Sequence, residues 1–357
     1  MAPTGWKLEN LPVNYDLETK LILKKLPVVH ALLAELKGLS SSIPDQNILL
    51  NTIGIQEAKD SSEIENIITT NDDIFKYELN IDNLYSPNAK EVQNYRSALK
   101  KGFYLIQKDK LLTNRIILEI QAELEGNSAG YRKLPGTTLK HATTGEVIYT
   151  PPQEYEEIKN LMSNLELFIN DKNICDYDPL IKMAIIHYQF ESIHPFYDGN
   201  GRTGRIINIL YLILEDILNL PILYLSNYII KNKGDYYRLL QEVRDKQNWE
   251  EWLNFMIDGV EQTSKETINK IVAIKELMSN LKQTLRDNYK FYSQDLLNNL
   301  FKHPYTRIEF VVDDLNVSRI TAGNYLNKLA DDGVIIKRKF KTGNYYINQP
   351  LYDLLTK

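Results

Sequence analysis

The sequence predicts a mainly α-helical protein that closes on a small mixed α+β module. Three observations carry this. Apolar residues recur at helical spacing through most of the 357 residues. β-like runs are confined to Glu146–Thr150 and to residues 334–347. And a glycine- and proline-rich turn at residues 194–205 separates two strongly apolar helical runs rather than two strands.

Composition bounds the reading. At this length two or three domains are the prior. Apolar residues at 43% and charged residues at 25% describe an ordinary soluble globular chain and exclude disordered, collagen-like and coiled-coil proteins. A formal charge of -5 excludes coating nucleic acid by bulk charge, while a local basic patch stays open. Cys175, the one cysteine, forms neither an internal disulfide nor a Cys-based zinc site and reads as a buried thiol in a reducing compartment. Met1–Asn10 lacks the basic start and apolar run of a signal peptide. The apolar stretch 206–230 is broken by Glu215, Asp216 and Pro221, so no membrane span is expected and a cytoplasmic protein is the default.

In chain order, Leu21–Leu39 is helical and stops at Gly38. Ile48–Ile55 is a short apolar segment, and Ser61–Ile68 a separate short helix capped by Asp60 or Ser61. Val92–Ile106 and Leu111–Leu124 are helical. Gly126, Gly130, Pro135, Gly136 and Gly145 then mark loops around a β-like run, with Thr144-Gly145 as a hairpin tip and Pro151-Pro152 ending the strand. Helical patterns return at 154–169, 179–193, 202–218, 236–243 and 250–281, the last polar on one side and readable as a spacer. Helices follow at 293–301, 307–315 and 318–330, with Ser318 as N-cap, then strands at 334–340 and 344–347 joined at Thr342-Gly343. That order suggests a winged helix-turn-helix.

The chemistry concentrates in His194-Pro195-Phe196-Tyr197-Asp198-Gly199-Asn200-Gly201-Arg202-Thr203-Gly204-Arg205. Pro195 disfavours helical backbone at His194, which leaves the imidazole on a turn. Gly199, Asn200 and Gly201 make a loop with little bulk, whose backbone N–H groups suit an anion. The helix that follows adds its free N–H groups and positive dipole end. Arg202 and Arg205, three apart, lie on one face and suit a polyphosphate. Asp198 is a hard carboxylate of the kind that holds Mg²⁺ beside phosphates. His194 is a base matched to neutral pH. A structural turn alone explains any one of these residues, but less readily all of them within twelve positions.

These twelve residues match, at every fixed position, the signature His-Pro-Phe-x-Asp-Gly-Asn-Gly-Arg-x-x-Arg, and the chain thereby resembles the Fic family from Met1 to about Leu281. Tyr149–Leu161, Leu223-Tyr224-Leu225-Ser226 and Asp235-Tyr236-Tyr237-Arg238 extend the likeness. The resemblance implies a Fic helical fold and transfer of AMP from ATP to a Tyr, Thr or Ser hydroxyl of a target protein. His194 would be the general base, and Asp198 would hold Mg²⁺. Gly199, Asn200 and Gly201 would form the anion hole, and Arg202 and Arg205 would hold the β- and γ-phosphates. Relatives that act as phosphotransferases carry lysine at the position of Gly201, so the glycine favours nucleotide transfer. A flap at about 136–150 would add a strand edge to the target's extended segment; an ordinary surface hairpin is the plainer reading of the same residues.

Ser61-Ser62-Glu63-Ile64-Glu65-Asn66 fits the family's inhibitory pattern, Ser/Thr-x-x-x-Glu-Gly/Asn. The resemblance implies that Ser61 and Glu65 lie on an inhibitory helix at about 60–69, with Glu65 forming a bidentate pair with Arg205 and displacing the γ-phosphate. Such a glutamate also supports removal of AMP. Tyr236 and Tyr237 border the nucleoside by resemblance, or are structural. Some relatives carry an Asn on the nucleotide where this chain has Arg244. His30, His141, His187 and His303 show no ligand spacing.

Three parts are expected: an N-terminal helical region at 1–110, a catalytic core at 111–285 and the winged module at 286–357. From Tyr289 to Lys357, 10 basic and 7 acidic residues give a net charge of about +3. Lys337-Arg338-Lys339-Phe340-Lys341, with Arg319, Thr321 and Asn324, could meet DNA, a protein or a neighbouring domain. The rival function is an ATP-sensing DNA-binding regulator. A homodimer that tunes the brake is a further expectation that no residue pattern fixes.

Overall fold

The computed structural model describes residues 7–79, 86–140, 144–340 and 343–356. His141 and, in the wing, Lys341 and Thr342 lie outside the described residues, while the expected hairpin tip Thr144-Gly145 lies within them.

The first helix, α1 (Lys20–Ser41), is capped by Thr19, whose side chain accepts from the Ile22 amide. It runs through Gly38 rather than ending there, because Leu36 and Ser40 on either side are buried and tertiary packing overrides propensity. The expected apolar segment and separate short helix are one element, α2 (Asn47–Ile64). Nearly all of its residues from Ile48 to Ile64 are buried, polar ones included. Ser61 is therefore inside a helix, not its cap. Glu65 is the C-cap and Asn66, at φ 63°, ends the element, so residues 66–69 are not helical. Helix α3 (Asn71–Glu78), which the sequence reading omits, is capped by Thr70.

Helix α4 (Pro87–Asp109) starts on Ser86 with Pro87 in its first turn, and α5 (Asn114–Glu125) starts on Thr113 and stops at left-handed Gly126. Gly102 brings α4 close to its neighbours: a Cβ there would meet Leu210 Cδ1 at 2.6 Å and Ile120 Cδ1 at 2.8 Å. The strands β1 (Leu139–Lys140) and β2 (Val147–Tyr149) pair antiparallel, Leu139 opposite Tyr149, with an irregularity at Leu139/Lys140.

Helix α6 (Tyr155–Asn170) leads to α7 (Pro179–Ile193), which has Asp178 as N-cap and is buried on every side from Leu180 to Ile193. Helix α8 (Asn200–Leu214) is almost as deeply buried and packs on α7, α4 and α5. Two helices follow, α9 (Leu225–Lys231) and α10 (Lys233–Lys246). The 40-residue α11 (Trp249–Asn288) is no solvent spacer. It packs along α1 and α7, and Trp252 donates to the Ala184 carbonyl at 3.0 Å.

At the C-terminus come α12 (Gln294–Lys302), β3 (Tyr305–Thr306), α13 (Ile308–Leu315), α14 (Arg319–Asp331), β4 (Ile336–Phe340), β5 (Gly343–Ile347) and α15 (Gln349–Thr356). The three strands form an antiparallel sheet in the order β3-β5-β4. The module docks on the N-terminal helices. Phe75 packs against Tyr305 and Tyr352, the Tyr305 hydroxyl donates to Asp72 at 2.8 Å, and Arg307 donates to the Leu79 carbonyl at 2.6 Å. Among the described residues no helix is long and apolar enough to cross a membrane.

Candidate active site

The turn between α7 and α8 sits at the centre of the helical body. Helix α7 ends at His194, as Pro195 demands, but the residue is left-handed (φ 49°, ψ 58°) rather than extended. Its surroundings override the local preference. The Arg132 guanidinium donates to the His194 carbonyl at 2.8 Å, and the Arg132 amide donates to the Pro195 carbonyl at 2.9 Å. Asn200 then staples the turn: its side chain accepts from the Phe196 amide and donates to the Phe196 carbonyl, both at 2.9 Å. Its side chain is thus occupied structurally, and Asn200 is already the first residue of α8. Asp198 is exposed and accepts from the Gly199 amide at 2.7 Å. Gly199 needs its freedom, since its φ is 77°.

The cradle is filled by carboxylates. A Cβ at Gly201 would fall 2.2 Å from Glu65 Oε1, and one at Gly199 only 2.3 Å from Glu125 Oε1. Both glycines leave room for an anionic oxygen at the positive start of α8. Arg205, 2% exposed, donates Nε to Ser61 Oγ, and Nη2 to both the Ser61 carbonyl and Glu65 Oε1, each at 2.8 Å. The Arg205–Glu65 pair is therefore one-point, not bidentate, and Ser61 takes Nε and shares Nη2. Burial works against the Arg205 charge, but Glu65, with Tyr236 and Tyr95 adding to it, raises its pKa and holds the guanidinium protonated. Arg202, three residues earlier, turns elsewhere: Nη1 donates to Glu91 at 2.7 Å and Nη2 to Glu125 at 2.8 Å. Burial raises the Glu125 pKa, Arg202 lowers it, and Asp198 and Glu91 add to the rise.

Sequence reasoning missed Glu91, Glu125 and Arg132. Nothing local marks them, because each meets the motif from far along the chain. It also missed what holds α2. Glu57 accepts from the Ser226 amide and hydroxyl at 3.0 and 2.5 Å and from the Tyr95 hydroxyl at 3.1 Å, and burial pushes it to about 7. Asp60 accepts from the Tyr224 hydroxyl at 2.5 Å and from Asn227 at 2.8 Å. Leu223–Ser226 thus anchors α2 rather than lining the turn.

His194 is half-buried, and burial, with Arg132 and Arg244 adding to it, lowers its pKa to about 4 against the opposing pull of Glu65. The imidazole is neutral at pH 7, the form that accepts a proton. Glu191 lies one helical turn before it. One of its oxygens is buried without a hydrogen-bond partner, and burial raises the group to about 7. Tyr236 is buried, with its hydroxyl 2.8 Å from His187 Nε2, while Tyr237 beside it is exposed. Arg244 lies 3.9 Å over the Tyr149 ring and donates to Ser192 Oγ, which ties the end of β2 to α7. Of the other histidines, His30 meets Asp178 at 2.8 Å and His303 packs against Phe310. Cys175 is only partly buried.

Among the described residues no group of three or more His, Cys, Asp or Glu could hold a metal ion. Asp198, with its exposed carboxylate, fits an ion that takes one protein ligand and completes its shell with phosphate and water, which is the habit of Mg²⁺.

Comparison with known proteins supplies the family. Residues 23–104 match the Fic/DOC family N-terminal region, residues 111–212 match the Fic/DOC family, and residues 277–351 match the C-terminal domain described as protein adenylyltransferase SoFic-like. A protein adenylyltransferase Fic of Aedes aegypti is 30% identical over 103 residues, covering 29% of this chain and 20% of that protein. A probable protein adenylyltransferase of Aquifex aeolicus is 30% identical over 183 residues, covering 48% of this chain and 52% of the relative. The chain spans about half or less of the length of these curated relatives. A Fic family protein from Desulfovibrio desulfuricans G20 shares the fold over 94% of this chain and 98% of its own, with a TM-score of 0.61 at 20% identity. A Fic domain containing signaling protein from Bacteroides thetaiotaomicron covers 69% of this chain and 95% of its own, with a TM-score of 0.54 at 18% identity. With family matches running from its N-terminal helices to its C-terminal module, and the complete His194–Arg205 signature at its centre, the chain belongs to the Fic/DOC family.

Proposed function

We propose that the protein is a self-inhibited protein adenylyltransferase that moves AMP from ATP to a hydroxyl of a target protein. One observation carries this reading: Glu65 occupies the backbone cradle over Gly201 and pairs with Arg205, so a carboxylate stands where a phosphate would bind. In the released state, Gly199, Gly201 and the start of α8 would receive the phosphates, with Arg202 and Arg205 neutralising the outer two. Asp198 would hold Mg²⁺, which supplies charge neutralisation on the phosphates. His194 takes the proton from the target hydroxyl, the oxygen bonds to the α-phosphorus, and the bond from that phosphorus to the bridging oxygen breaks, releasing pyrophosphate. Nε2 or Nδ1 of a neutral imidazole suffices, and burial keeps His194 neutral. Glu125 joins the brake, because it neutralises Arg202 and covers Gly199.

The β1–β2 ribbon is the docking edge we assign to the target, with Val147 and Ile148 of β2 exposed. The three-part division at about 110 and 285, the winged-helix reading of α12–β5, and reverse hydrolysis of AMP assisted by Glu65 belong to the same proposal. Mass spectrometry after incubation with ATP and Mg²⁺ tests it. AMP should appear on the protein itself or on lysate proteins, more strongly with Glu65→Gly and not with His194→Ala. An ATP-sensing regulator would bind nucleotide yet leave no adduct in any of the three proteins.

A further inference from the structure

We infer that Arg132 is a positioning residue for His194, tying the left-handed turn that aims the imidazole to the root of the flap. The inference rests on the adenylyltransferase reading for its activity readout. Its grounds are geometric. Arg132 is fully buried, and its guanidinium donates Nε to the His194 carbonyl at 2.8 Å and Nη2 to the carbonyls of Pro152 and, at 3.4 Å, Ile193. Its own amide donates to the Pro195 carbonyl. One side chain therefore grips the end of α7, the turn, and the segment that follows β2.

Two features set this apart from ordinary packing. First, a non-glycine residue before proline in the left-handed region does not hold that conformation unaided. A planar fork with donors at fixed angles is suited to lock it, and a lysine is not. Second, among the described residues no carboxylate pairs with this buried guanidinium, and Nη1 has no partner. The charge is desolvated here with no carboxylate to offset the cost, so stability alone does not ask for a charged group at this place. The charge faces His194, as do Arg244 and Glu65, and it adds to the burial that keeps the imidazole unprotonated. From the solvent side the Tyr197 hydroxyl accepts from the Lys133 and Leu134 amides at 2.9 and 3.3 Å, bracing the same segment.

The test uses the full chain carrying Glu65→Gly, alone and with Arg132→Lys, Arg132→Gln or Tyr197→Phe. Both Arg132 changes should lower kcat for AMP transfer by roughly 10–100-fold while KM for ATP stays within about threefold. NMR titration of the His194 imidazole should move upward in Arg132→Gln and stay nearer the parent value in Arg132→Lys, a split that loss of packing alone does not produce. Tyr197→Phe, at an exposed site, should give a smaller loss of kcat in the same direction and serves if the Arg132 variants do not fold. A kcat within twofold of the parent in folded variants, or a loss matched by weaker ATP binding, would overturn the inference. If Glu65→Gly alone transfers no AMP, the functional reading has failed instead, and the titration still decides whether Arg132 governs the imidazole.

Discussion

Around the first turn of α8, Arg202 and Arg205 are 3% and 2% exposed, and each meets carboxylates carried in from other helices. In the C-terminal module, Arg319 meets Glu309 across ten residues and Lys328 meets Asp332 one helical turn away, all at the surface. The same chemical pair does different things in the two places. A solvent-exposed local pair is screened and contributes little. A buried pair contributes little net stability either, but removing one partner strands the other, so it makes a sensitive switch. In the cradle the charged partners lie 77 to 140 residues apart, so the charges read as assembled for a role and not for helix propensity. In the module, by contrast, Arg319, Lys328 and Lys302 each meet an acid of the module itself, Lys302 through Asp314.

If that contrast holds, substitutions in the cradle change activity by orders of magnitude and those in the module barely register. His194→Ala should lower labelling from radioactive ATP by about 10²–10⁴-fold, with the fold kept by circular dichroism. Glu65→Gly should raise the same labelling by roughly 10–100-fold, the equivalent of one charge-assisted hydrogen bond. Unchanged labelling would detach the Arg205 pair from regulation. Glu125→Gln sharpens the comparison: a further gain of about 3–10-fold on top of Glu65→Gly would mean that two carboxylates hold the cradle. No gain would leave Glu65 as the sole brake.

Acid-base behaviour gives a fourth check. Buried His187 and half-buried His194 and His303 have pKa values of about 3, 4 and 4, below the ordinary 6.5, so the unfolded chain binds their protons more readily and stability is lost as pH falls from 6.5 toward 4. Buried Glu57 and Glu191 sit at about 7, above the ordinary 4.5, so their contribution is present below 4.5 and lost as pH rises to 7. Urea unfolding across this range should therefore show a dome peaking near pH 6, and Glu57→Gln should flatten its upper side. Smallest of all, Arg319→Ala should shift the melting midpoint by less than about 2 °C and leave AMP labelling unaltered.

The helices legible in the sequence are those with strong caps and one apolar face. Asp178-Pro179 starts α7 and Ser318 starts α14 where local chemistry says they should. The misreadings have one cause. Residues 47–64 read as two pieces because Gln56, Glu57, Asp60 and Ser61 interrupt the apolar pattern, yet those polar residues are buried against Leu355, Ser226, Tyr224 and Arg205. Residues 250–281 read as a spacer because a polar face hides the packing on α1. Periodicity registers burial only where the buried residues are apolar.

From residues alone one obtains the mainly helical class, the turn bearing His194 and the oxyanion-friendly glycines, the pairing of Glu65 with Arg205 by resemblance, and the order of helices and strands at the end of the chain. Apart from that pairing, which the resemblance supplies, these follow from short-range rules: proline and glycine backbone preferences, caps, and motif spacing. Folding added the rest: Glu91 and Glu125 on Arg202, Ser61 sharing the Arg205 fork, Arg132 on the His194 carbonyl, and Glu57 and Asp60 mooring α2. Those contacts join groups far apart in the chain. Their partners are chosen by where helices pack and by the cost of leaving a buried polar group unmatched, which no local pattern encodes.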